Sequence, residues 1–599
     1  MASSKNRLLS AAVIILFQTL KTPLAVEGAV DSDITSIPST EWSNFETFLS
    51  DAASLHGPLQ DFSYVASCEI LGTNAYLISD SANGLCMQAH DCAREFCSSD
   101  KEFDLPSYVV EVKTEMDVVM AIDFASKFEI EVSIKTTGHS YQGSSTKAGT
   151  LMIWMHNFLK DGTINDNYID TCGTNHGPVI GIAGGEIWDD VLVAVKDKYH
   201  IVTGGARTVS AAGGWLQGGG LSFSSRKYGV GVDQVVNFRV VLADGTAVDA
   251  NACTNEDLFW ALRGGGGGSF GVVTHVQYKL HPVTTIVEAQ FFYGGLEWAA
   301  VNNKKAFDEA IDTWFSFWIE NSPYLDSRWS GFFNAAGAHL TFSGSMEDAK
   351  STFLDDWNEW YRLLDKTDWV IGVFGALPPQ SKVYNSWYDY KGGDNAVANP
   401  DATDTTGDAY EGVAAIAARL MPQSKVIADK DAVKNLLITM TYAGELGVIN
   451  YFLGGEINNV STLETAVHPA LRNSIWNIIT ITKSGAQRVR EFVSNDVTGV
   501  CYNHHNGLEP DWKNACWGSN YDKLFSLKNK YDPSNMFNCW HCVGYQGRES
   551  ENEEGNKPAE WQFDPKYLLL FIPLGVVLWF AKRRCLADLY ILVFRSTKK

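Results

Sequence analysis

Apolar and polar positions change their spacing along the chain. Between Ser107 and Pro282, short apolar or alternating runs predict strands, and segments with helical apolar spacing separate them. The strand-like runs read YVVEVKT, EIEVSIKTT, GPVIGIAGG and NFRVVLADGT, and the helical ones MDVVMAIDFASKF and IWDDVLVAVKDKY. The pattern has no crossover long enough for a full doubly wound sheet. It therefore predicts an α+β fold of two packed subdomains.

From about His281 to Thr482 the pattern is richer in aromatic residues. Helical spacing predicts helices in AFDEAIDTWFSFWIE and AKSTFLDDWNEWYRLLDK, whereas TTIVEAQFFYGG, SGFFNAAGAHLTFSG and LLITMTYAG predict strands. We expect an antiparallel sheet with helices on one face. The stretch 391–407, KGGDNAVANPDATDTTG, has no apolar period and predicts an exposed loop.

The N-terminus has the residue order of a secretory signal. Lys5 and Arg7 precede an apolar run over 8–20, and small residues follow as far as Gly28. This order predicts a signal peptide over 1–28, and the apolar run is short for a bilayer span. A buried N-terminal helix is the alternative.

The C-terminus carries a second apolar run. A charged spacer over 546–566 precedes the uncharged run YLLLFIPLGVVLWFA over 567–581, and a short basic tail occupies 582–599. A membrane span usually needs about 20 residues, but basic residues directly after the run match a stop-transfer pattern. We expect a membrane anchor with the folded part outside, and a packed helix is the alternative.

Net charge and cysteine content indicate which partners the protein can bind and in which compartment it folds. The formal charge is −23, from 70 acidic against 47 basic residues, so a polyanion is repelled and nucleic acid is excluded as a partner. Eleven cysteines on a chain with a secretory signal predict disulfides. Cys539-Trp-His-Cys542 could be half of a zinc site, but no second CxxC exists, so we predict a disulfide there and no metal. The sequon Asn459-Val-Ser461 agrees with secretion.

Three glycine-rich stretches carry the candidate chemistry. They are IKTTGHSYQGSST over 134–146, GGARTVSAAGGWLQGGGLS over 204–222 and GGGGGSFGVVT over 264–274. None matches a Rossmann fingerprint in a clean βαβ unit, and none contains the GKS or GKT of a P-loop. Three such loops in one domain predict a single extended ligand with a pyrophosphate, held by backbone groups.

Together these stretches closely resemble the FAD-linked oxidases of the vanillyl-alcohol-oxidase superfamily, in its berberine-bridge-enzyme-like branch. The resemblance rests on TTGHSYQG, GGWLQGGGLSFSSRKYGVGVD and DLFWALRGGGGGSFGVVT, and it resumes in EPDW and WGSNYDKLFSLKNKYDPSNMFNCWHCVG. It implies a two-subdomain PCMH-type FAD-binding domain over 107–282, a substrate domain over 283–486 and a segment over 487–545 that returns to the FAD domain. An N-terminal cysteine-containing extension over 29–106 precedes them.

The resemblance implies that His139 bonds covalently to the 8α-methyl group of FAD. A neutral imidazole is a competent nucleophile, and small neighbours let the ring system approach. Many members add a cysteine bond, but Ala206 stands at that position, so we expect one covalent bond. The other predicted cofactor contacts are Lys135, Thr136, Thr137, Gly138, Ser140, Gly143, Ser144, Thr208, Gly213, Gly214, Gly218, Gly219 and Val272.

The residues at the position of the family's catalytic base match the family pattern less well. Members often carry Tyr-x-Asn before EPDW; here Asn503 matches the asparagine, Cys501 stands on the tyrosine position and Tyr502 lies one place off. We predict Tyr502 as the base with Asn503 beside it, although Cys501 could belong to a disulfide. His468 and Arg472 are weaker site candidates for which a structural role is the alternative.

The sequence thus predicts a secreted or surface-anchored FAD-dependent oxidoreductase. Hydride passes from an alcohol, sugar or similar small molecule to FAD, and dioxygen reoxidises the flavin. A dehydrogenase with another acceptor, or a flavin-binding protein without turnover, are the alternatives.

Overall fold

The computed structural model describes most of the chain between residues 34 and 546. The described residues are 34–50, 53–57, 106–140, 144, 145, 147, 149–292, 304–363, 379–394, 417–442, 448–480, 483–493, 499–505, 509 and 511–546. The predicted signal peptide, the apolar run 567–581 and Gly143 lie outside them. Within these ranges no helix combines the length and apolarity that a membrane crossing requires.

A small mixed sheet opens the fold. Its strands, in spatial order, are β1 (Ser54–His56), β2 (Tyr108–Glu111), β4 (Leu151–Trp154) and β3 (Val132–Lys135). Pairing is antiparallel between β1 and β2 and parallel elsewhere. Two helices accompany it, α1 (Ser39–Phe48) and α2 (Glu115–Phe128). Thr114 and Asp117 form a capping box that begins α2, so the local sequence fixes where this helix starts.

The second sheet is antiparallel throughout. Its strands, in spatial order, are β5 (Ile164–Asn165), β6 (Val179–Ala183), β10 (Val272–Lys279), β8 (Val235–Val241) and β9 (Ala247–Asn251). A separate pair joins β7 (Tyr199–His200) to β11 (His281–Pro282). The helices of this part are α3 (Trp188–Val195), α4 (Gly214–Gln217), α5 (Ser225–Tyr228) and α6 (Glu256–Leu262). A disulfide between Cys172 and Cys253 links two of its loops.

The third sheet has seven antiparallel strands. In spatial order they are β15 (Gln380–Tyr384), β12 (Ile286–Phe292), β14 (Gly337–Ser343), β13 (Trp329–Asn334), β17 (Ile449–Phe452), β18 (Ser474–Thr480) and β16 (Ala417–Pro422). The accompanying helices are α7 (Lys304–Asn321), α8 (Met346–Ala349), α9 (Asp355–Leu363), α10 (Trp387–Tyr390), α11 (Gln423–Ala428), α12 (Lys430–Tyr442), α13 (Glu456–Asn459) and α14 (Lys483–Phe492).

One face of this sheet packs against helices in an aromatic core. Trp314 and Trp318 of α7 and Phe333 and Trp476 of the strands are buried there, with Trp318 stacked on Phe333 at a ring-centroid distance of 5.1 Å. The predicted fold class, two α+β subdomains and an antiparallel sheet with helices on one face, is confirmed. The exact domain boundaries stay predictions.

The prediction of a strand in LLITMTYAG is wrong. Residues 430–442 form helix α12, whose Val433, Leu436, Leu437 and Met440 are buried. These positions are three and four residues apart, which places them on one helical face. Neighbouring β-branched residues suggested a strand, but packing against the core decided the structure.

The end of the described chain packs against the first half of the fold. It contains α15 (Trp512–Trp517) and α16 (Tyr521–Tyr531). Leu524 joins the core of the second sheet, and Met536 and Phe537 join the core of the first. The beginning and the end of the described chain therefore share these two cores.

Candidate active site

One cavity lies between the glycine-rich loops and the seven-stranded sheet. All three glycine-rich stretches border it, and the residues 500–504 form another part of its wall. The opposite wall comes from sheet residues that face away from the helices. The three loops that the sequence singled out therefore meet at a single site.

The loop around His139 begins where β3 ends, at Lys135. Gly138 has a φ of 84°, a left-handed conformation that glycine adopts without strain. His139 is half-buried at the cavity wall, and its Nε2 lies 3.2 Å from Thr208 Oγ1. The Ser140 and Ser144 hydroxyls are 2.8 Å apart and brace the loop. The imidazole is thus held in place while it borders the cavity.

The second and third glycine-rich stretches approach each other closely. A Cβ added at Gly267 would lie 2.7 Å from Gly214 Cα, so the two backbones meet where side chains cannot fit. A Cβ added at Gly214 itself would meet nothing within 4 Å. The backbone there faces open cavity space, which fits a bound flavin nucleotide held by main-chain groups.

Most predicted cofactor residues border the cavity. Those that do are Thr136, Thr137, Gly138, His139, Ser140, Ser144, Gly213, Gly214, Gly218 and Gly219. Thr208 stands beside His139, whereas Lys135 and Val272 are buried strand residues that do not border the cavity. Ala206 is buried in the cavity wall. The roles of these residues toward a cofactor stay predictions.

The residue predicted as the base, Tyr502, is firmly packed. Its ring stacks on Trp517 with centroids 5.1 Å apart, and its hydroxyl donates to the His541 carbonyl at 3.5 Å. Burial raises the pKa of Tyr502 well above its usual value, first by desolvation and then through the nearby Cys516 thiol. This environment disfavours the tyrosinate that a base requires.

The two neighbours of Tyr502 differ in their roles. Asn503 Nδ2 donates to the Trp215 carbonyl at 2.8 Å, which ties the residue to the second glycine-rich stretch. Cys501 is free rather than disulfide-bonded, and burial raises its thiol pKa to about 12. A neutral thiol therefore occupies the position where the family pattern has a tyrosine.

His468 and Arg472 have structural partners. His468 Nδ1 accepts from the Ala470 N–H at 3.0 Å, and burial lowers the pKa of His468 to about 4. Arg472 donates to both Asp233 carboxylate oxygens, at 2.9 and 2.8 Å, and is fully buried. His468 still borders the cavity, but Arg472 does not. The structural alternative is favoured for Arg472.

The sheet contributes an apolar wall that sequence reasoning did not assign. Strand pairing places Ile449 opposite Ile479 and Phe332 opposite Tyr451, and all four border the cavity. Phe223 packs against Tyr451 at a centroid distance of 5.3 Å. The alternation of Ile449 and Tyr451 along β17 was a usable signal, because it marks the face opposite the helical core.

A buried polar network lies beside this wall. His339 Nε2 is 3.3 Å from the Tyr390 hydroxyl and 3.2 Å from Glu288 Oε1. Tyr384 donates to Glu288 Oε2 at 2.9 Å, and Gln290 donates to Oε1 at 2.7 Å. Tyr390 borders the cavity while His339 and Glu288 are buried behind it. The network therefore links a hydroxyl at the cavity surface to a buried imidazole and a buried carboxylate.

The segment 386–394, which we call the strap, closes another side of the cavity. Trp387 Nε1 donates to Thr203 Oγ1 at 3.0 Å, and Ser386 donates to Asp197 at 2.7 Å. Trp387, Tyr390 and Lys391 border the cavity. The sequence predicted an exposed loop from 391. At Lys391 this is wrong, because the residue is buried between the strap and the second glycine-rich stretch.

One disulfide bears on the predicted absence of a zinc site. Cys539 and Cys542 are joined in a disulfide behind Gly267 and Gly268, as predicted in preference to a zinc site. Over the ranges the structure describes, no group of three His, Cys, Asp or Glu residues is placed to hold a metal ion.

Comparison with known proteins agrees with this geometry. A family model described as FAD binding domain matches residues 106–251, and one described as berberine and berberine like matches 501–543. The VAO-type flavoprotein oxidase VAO615 of Thermothelomyces thermophilus is 30% identical over 459 residues, which cover 72% of this chain and 75% of that protein.

Solved structures show the same fold. The crystal structure of the VAO-type flavoprotein MtVAO615 from Myceliophthora thermophila has a TM-score of 0.69 at 24% identity, covering 88% of this chain and 97% of that one. Glucooligosaccharide oxidase from Acremonium strictum, described with a 6-S-cysteinyl, 8α-N1-histidyl FAD, has a TM-score of 0.54 at 20% identity, covering 76% and 99% of the two chains.

Proposed function

The chain belongs to the FAD-linked oxidoreductases of the VAO-type, berberine-bridge-like family, and from this membership we propose that it oxidises a small hydroxyl compound with FAD bound covalently through His139 alone. The observation that carries the proposal is the single cavity in which the His139 loop and both other glycine-rich stretches face the open side of the seven-stranded sheet. Membership of the family supports FAD as the cofactor. The covalent link to His139 is part of the proposal.

The residues present fit the flavin. His139 borders the cavity with small neighbours, and the open space at Gly214 leaves room for a nucleotide against the backbone. When bound, FAD would accept the hydride and would be reoxidised by dioxygen. The glucooligosaccharide oxidase is described with a cysteinyl as well as a histidyl link to FAD. Because the family resemblance puts Ala206 where many members have a cysteine, one bond is the proposal here.

The chain's own groups bind the substrate and accept its proton. The apolar wall formed by Phe332, Ile449, Tyr451 and Ile479 excludes water and orients a small molecule toward the glycine-rich loops. Tyr390 presents its hydroxyl at the cavity, and its proton passes to His339 Nε2 as the substrate hydroxyl loses its own. Glu288 stabilises the protonated imidazole.

Tyr390 thereby replaces Tyr502 as the favoured proton acceptor. The Tyr502 hydroxyl donates to a backbone carbonyl and has a raised pKa, whereas the Tyr390 hydroxyl meets an imidazole that can take its proton. Asn503, tied to Trp215, keeps the proposed role of fixing the wall beside the second glycine-rich stretch.

The decisive experiment is a screen of sugars and alcohols on the purified full-length protein. We expect hydrogen peroxide release with at least one compound, because the family includes oxidases. Turnover with an artificial dye but not with oxygen would identify a dehydrogenase. A protein that holds flavin but reduces it with no compound of the panel would contradict the proposal and favour a flavin-binding role.

We place the enzyme in the secretory pathway, either extracellular or anchored with its folded part outside. Residues 1–28, the sequon at Asn459 and the Cys172–Cys253 disulfide support this location. Truncation before Asp564 should release a soluble, yellow protein, while the full chain should fractionate with membranes. Release of the intact chain by an alkaline carbonate wash would contradict a membrane span at 567–581.

A further inference from the structure

The sheet side of the cavity is a continuous apolar surface. Strand pairing sets Phe332 beside Tyr451 and Ile449 beside Ile479, so four side chains from the neighbouring strands β13, β17 and β18 meet on one face. All four border the cavity, and none of them is charged. Ile449 and Ile479 are 8% and 4% exposed, whereas the two rings are half-buried. A ligand that lies against this apolar wall therefore contacts hydrocarbon and ring surface.

Three aromatic rings form a corner at one side of the apolar wall. Phe223, which directly follows the second glycine-rich stretch, has its ring centroid 5.3 Å from Tyr451 and 6.1 Å from Phe332. The ring planes are tilted by 41° and 47°, and Phe223 also borders the cavity. Aromatic rings prefer tilted or offset contacts at such distances over face-to-face stacking. The corner is therefore suited to receive one more ring, supplied by a ligand.

The polar groups around the cavity suit a ligand with few hydroxyl groups. Gln217 and Asn503 border the cavity, and their side-chain amides donate to the carbonyls of Ala212 and Trp215 at 3.1 and 2.8 Å. Among the residues that the structure describes, no aspartate, glutamate or arginine borders the cavity. A carbohydrate against the apolar wall would lose water from its hydroxyl groups without gaining matching partners there, which is unfavourable.

The apolar wall is also neutral at physiological pH. Burial raises the pKa of the Tyr451 phenol well above its usual value, and the neighbouring Cys501 thiol raises it further. Burial raises the pKa of Cys501 as well, to about 12. Cys501 borders the cavity, and a neutral thiol contacts a ligand as a small apolar group. A charged group placed against these side chains would lose its hydration without an opposite charge to replace it.

We propose that the substrate is an uncharged hydroxyl compound with an apolar ring, which binds against the apolar wall, and not a carbohydrate. The inference rests on the proposed function, because it names the class of hydroxyl compound that this site oxidises. Ile449, Ile479 and the ring corner then determine specificity by removing the apolar part of the substrate from water. The hydroxyl group of the substrate faces the glycine-rich loops and Tyr390, which also border the cavity.

Equilibrium binding to the full-length protein, measured by calorimetry, tests this inference without requiring turnover. Benzyl alcohol and cyclohexylmethanol are compared with glucose and cellobiose. We expect both apolar alcohols to bind more tightly than either sugar by about tenfold or more, because the wall buries their rings and leaves sugar hydroxyls without partners. Equal or tighter binding of a sugar, or no binding of either alcohol, would overturn the inference.

Matched double variants show whether the apolar wall causes this preference. Threonine at both Ile449 and Ile479 adds two hydroxyl groups, and valine at both positions gives nearly the same shape without them. We expect the threonine variant to bind benzyl alcohol about tenfold more weakly than the valine variant, because a ligand ring would cover unpaired hydroxyls. Ile427→Thr changes a 43% exposed residue of α11 and should bind as wild type does.

Equal binding by the threonine and valine variants would show that the apolar wall does not select the ligand, and it would overturn the inference. Melting temperatures report whether the variants fold. Should the double threonine variant fold poorly, the single variants Ile479→Thr and Ile479→Val give the same comparison.

Anaerobic flavin reduction by the same compounds separates the two claims. If a sugar reduces the flavin faster than either apolar alcohol, the inference is wrong while the proposed function stands. If the apolar alcohols bind in preference but no compound reduces the flavin, the proposed function is wrong while the class of ligand stands. Reduction by an apolar alcohol, together with the expected order of binding, supports both.

Discussion

Under the proposed function, His139 and its immediate surroundings determine how the cofactor is retained. The imidazole stands at the cavity wall, 3.2 Å from the Thr208 hydroxyl, with glycine and serine as neighbours. A covalent bond there means that acid precipitation should leave the flavin on the chain. In His139→Ala the flavin should appear in the acid supernatant, where its absorbance measures the released fraction.

Peptide mapping completes that test. One flavin-modified residue is expected, at His139, because alanine at position 206 cannot form a thioether. Full release of wild-type flavin by acid, or a flavin attached to any cysteine, would contradict the single-bond proposal.

Tyr390 and Tyr502 offer a direct comparison of two phenols. Tyr390→Phe removes the hydroxyl that contacts His339, so flavin reduction by the substrate from the screen should slow by about 10²–10⁴-fold. Tyr502→Phe removes a hydroxyl that contacts the His541 carbonyl and the Cys542 sulfur, and this variant should reduce at close to the wild-type rate. Rapid-mixing absorbance measures both rates.

The reverse result would restore the base suggested by the family pattern. If Tyr502→Phe slows reduction by that factor and Tyr390→Phe does not, Tyr502 is the proton acceptor. Flavin content should be unchanged in both variants, since each loses a single hydroxyl and keeps its ring.

At the scale of elements, the glycine-rich stretches meet two requirements: they leave space for a cofactor, and they let two backbones come into contact. Substitutions can test the two requirements separately. Gly214→Ala adds a methyl group that meets no protein atom, so thermal stability should hold while flavin content falls. Gly267→Ala places its Cβ 2.7 Å from Gly214 Cα, a backbone contact that cannot be relieved by a rotamer, and should destabilise the fold by about 1–3 kcal/mol.

Melting temperature and the flavin-to-protein ratio measure the two effects. Equal loss of stability in both variants would show that the space at Gly214 is not where the cofactor lies. Retention of full flavin by Gly214→Ala would lead to the same conclusion.

The elements also show what the sequence could and could not predict. The strands and loops of residues 107–282 followed from local spacing, and His139 followed from a local motif. Residues 430–442 did not, because Ile438, Thr439 and Thr441 favour strands locally while the buried positions follow a helix.

The buried polar network could not be predicted from the sequence either. Glu288, His339 and Tyr390 lie on β12, β14 and α10, far apart in sequence, and meet only because β12 pairs with β14 so that Gln290 lies opposite His339. Sheet register depends on tertiary packing, and no local pattern encodes it. Lys391 was misassigned for the same reason: its polar neighbours suggest solvent, and burial comes from Arg207 in another part of the chain.

At the scale of the whole molecule, buried and half-buried histidines make stability depend on pH. Burial lowers the pKa of His281, His468, His504 and His505 to about 4 each, below the unfolded value of 6.5. The unfolded chain therefore binds more protons than the folded one between these values. Stability is full above pH 6.5 and falls as pH drops toward 4, by up to about 1.4 kcal/mol per pH unit for each histidine.

Urea unfolding at several values between pH 7 and pH 4.5 measures this slope. His468→Asn keeps an acceptor for the Ala470 N–H but cannot titrate. The change of its free energy of unfolding with pH should therefore lack the contribution of one histidine. A free energy of unfolding that stays constant across this interval would contradict the assignment of these histidines as neutral.

The cavity has one further consequence, for the order of events in synthesis. Its walls come from the loop at His139, from the strap near Tyr390 and from residues 500–504. A chain still emerging from the ribosome has only the first of these, because long-range contacts wait for the later segments. Under the proposed function, enclosure of the flavin is then a terminal step of maturation. A molecule that holds its flavin is therefore one whose translation and folding have both been completed.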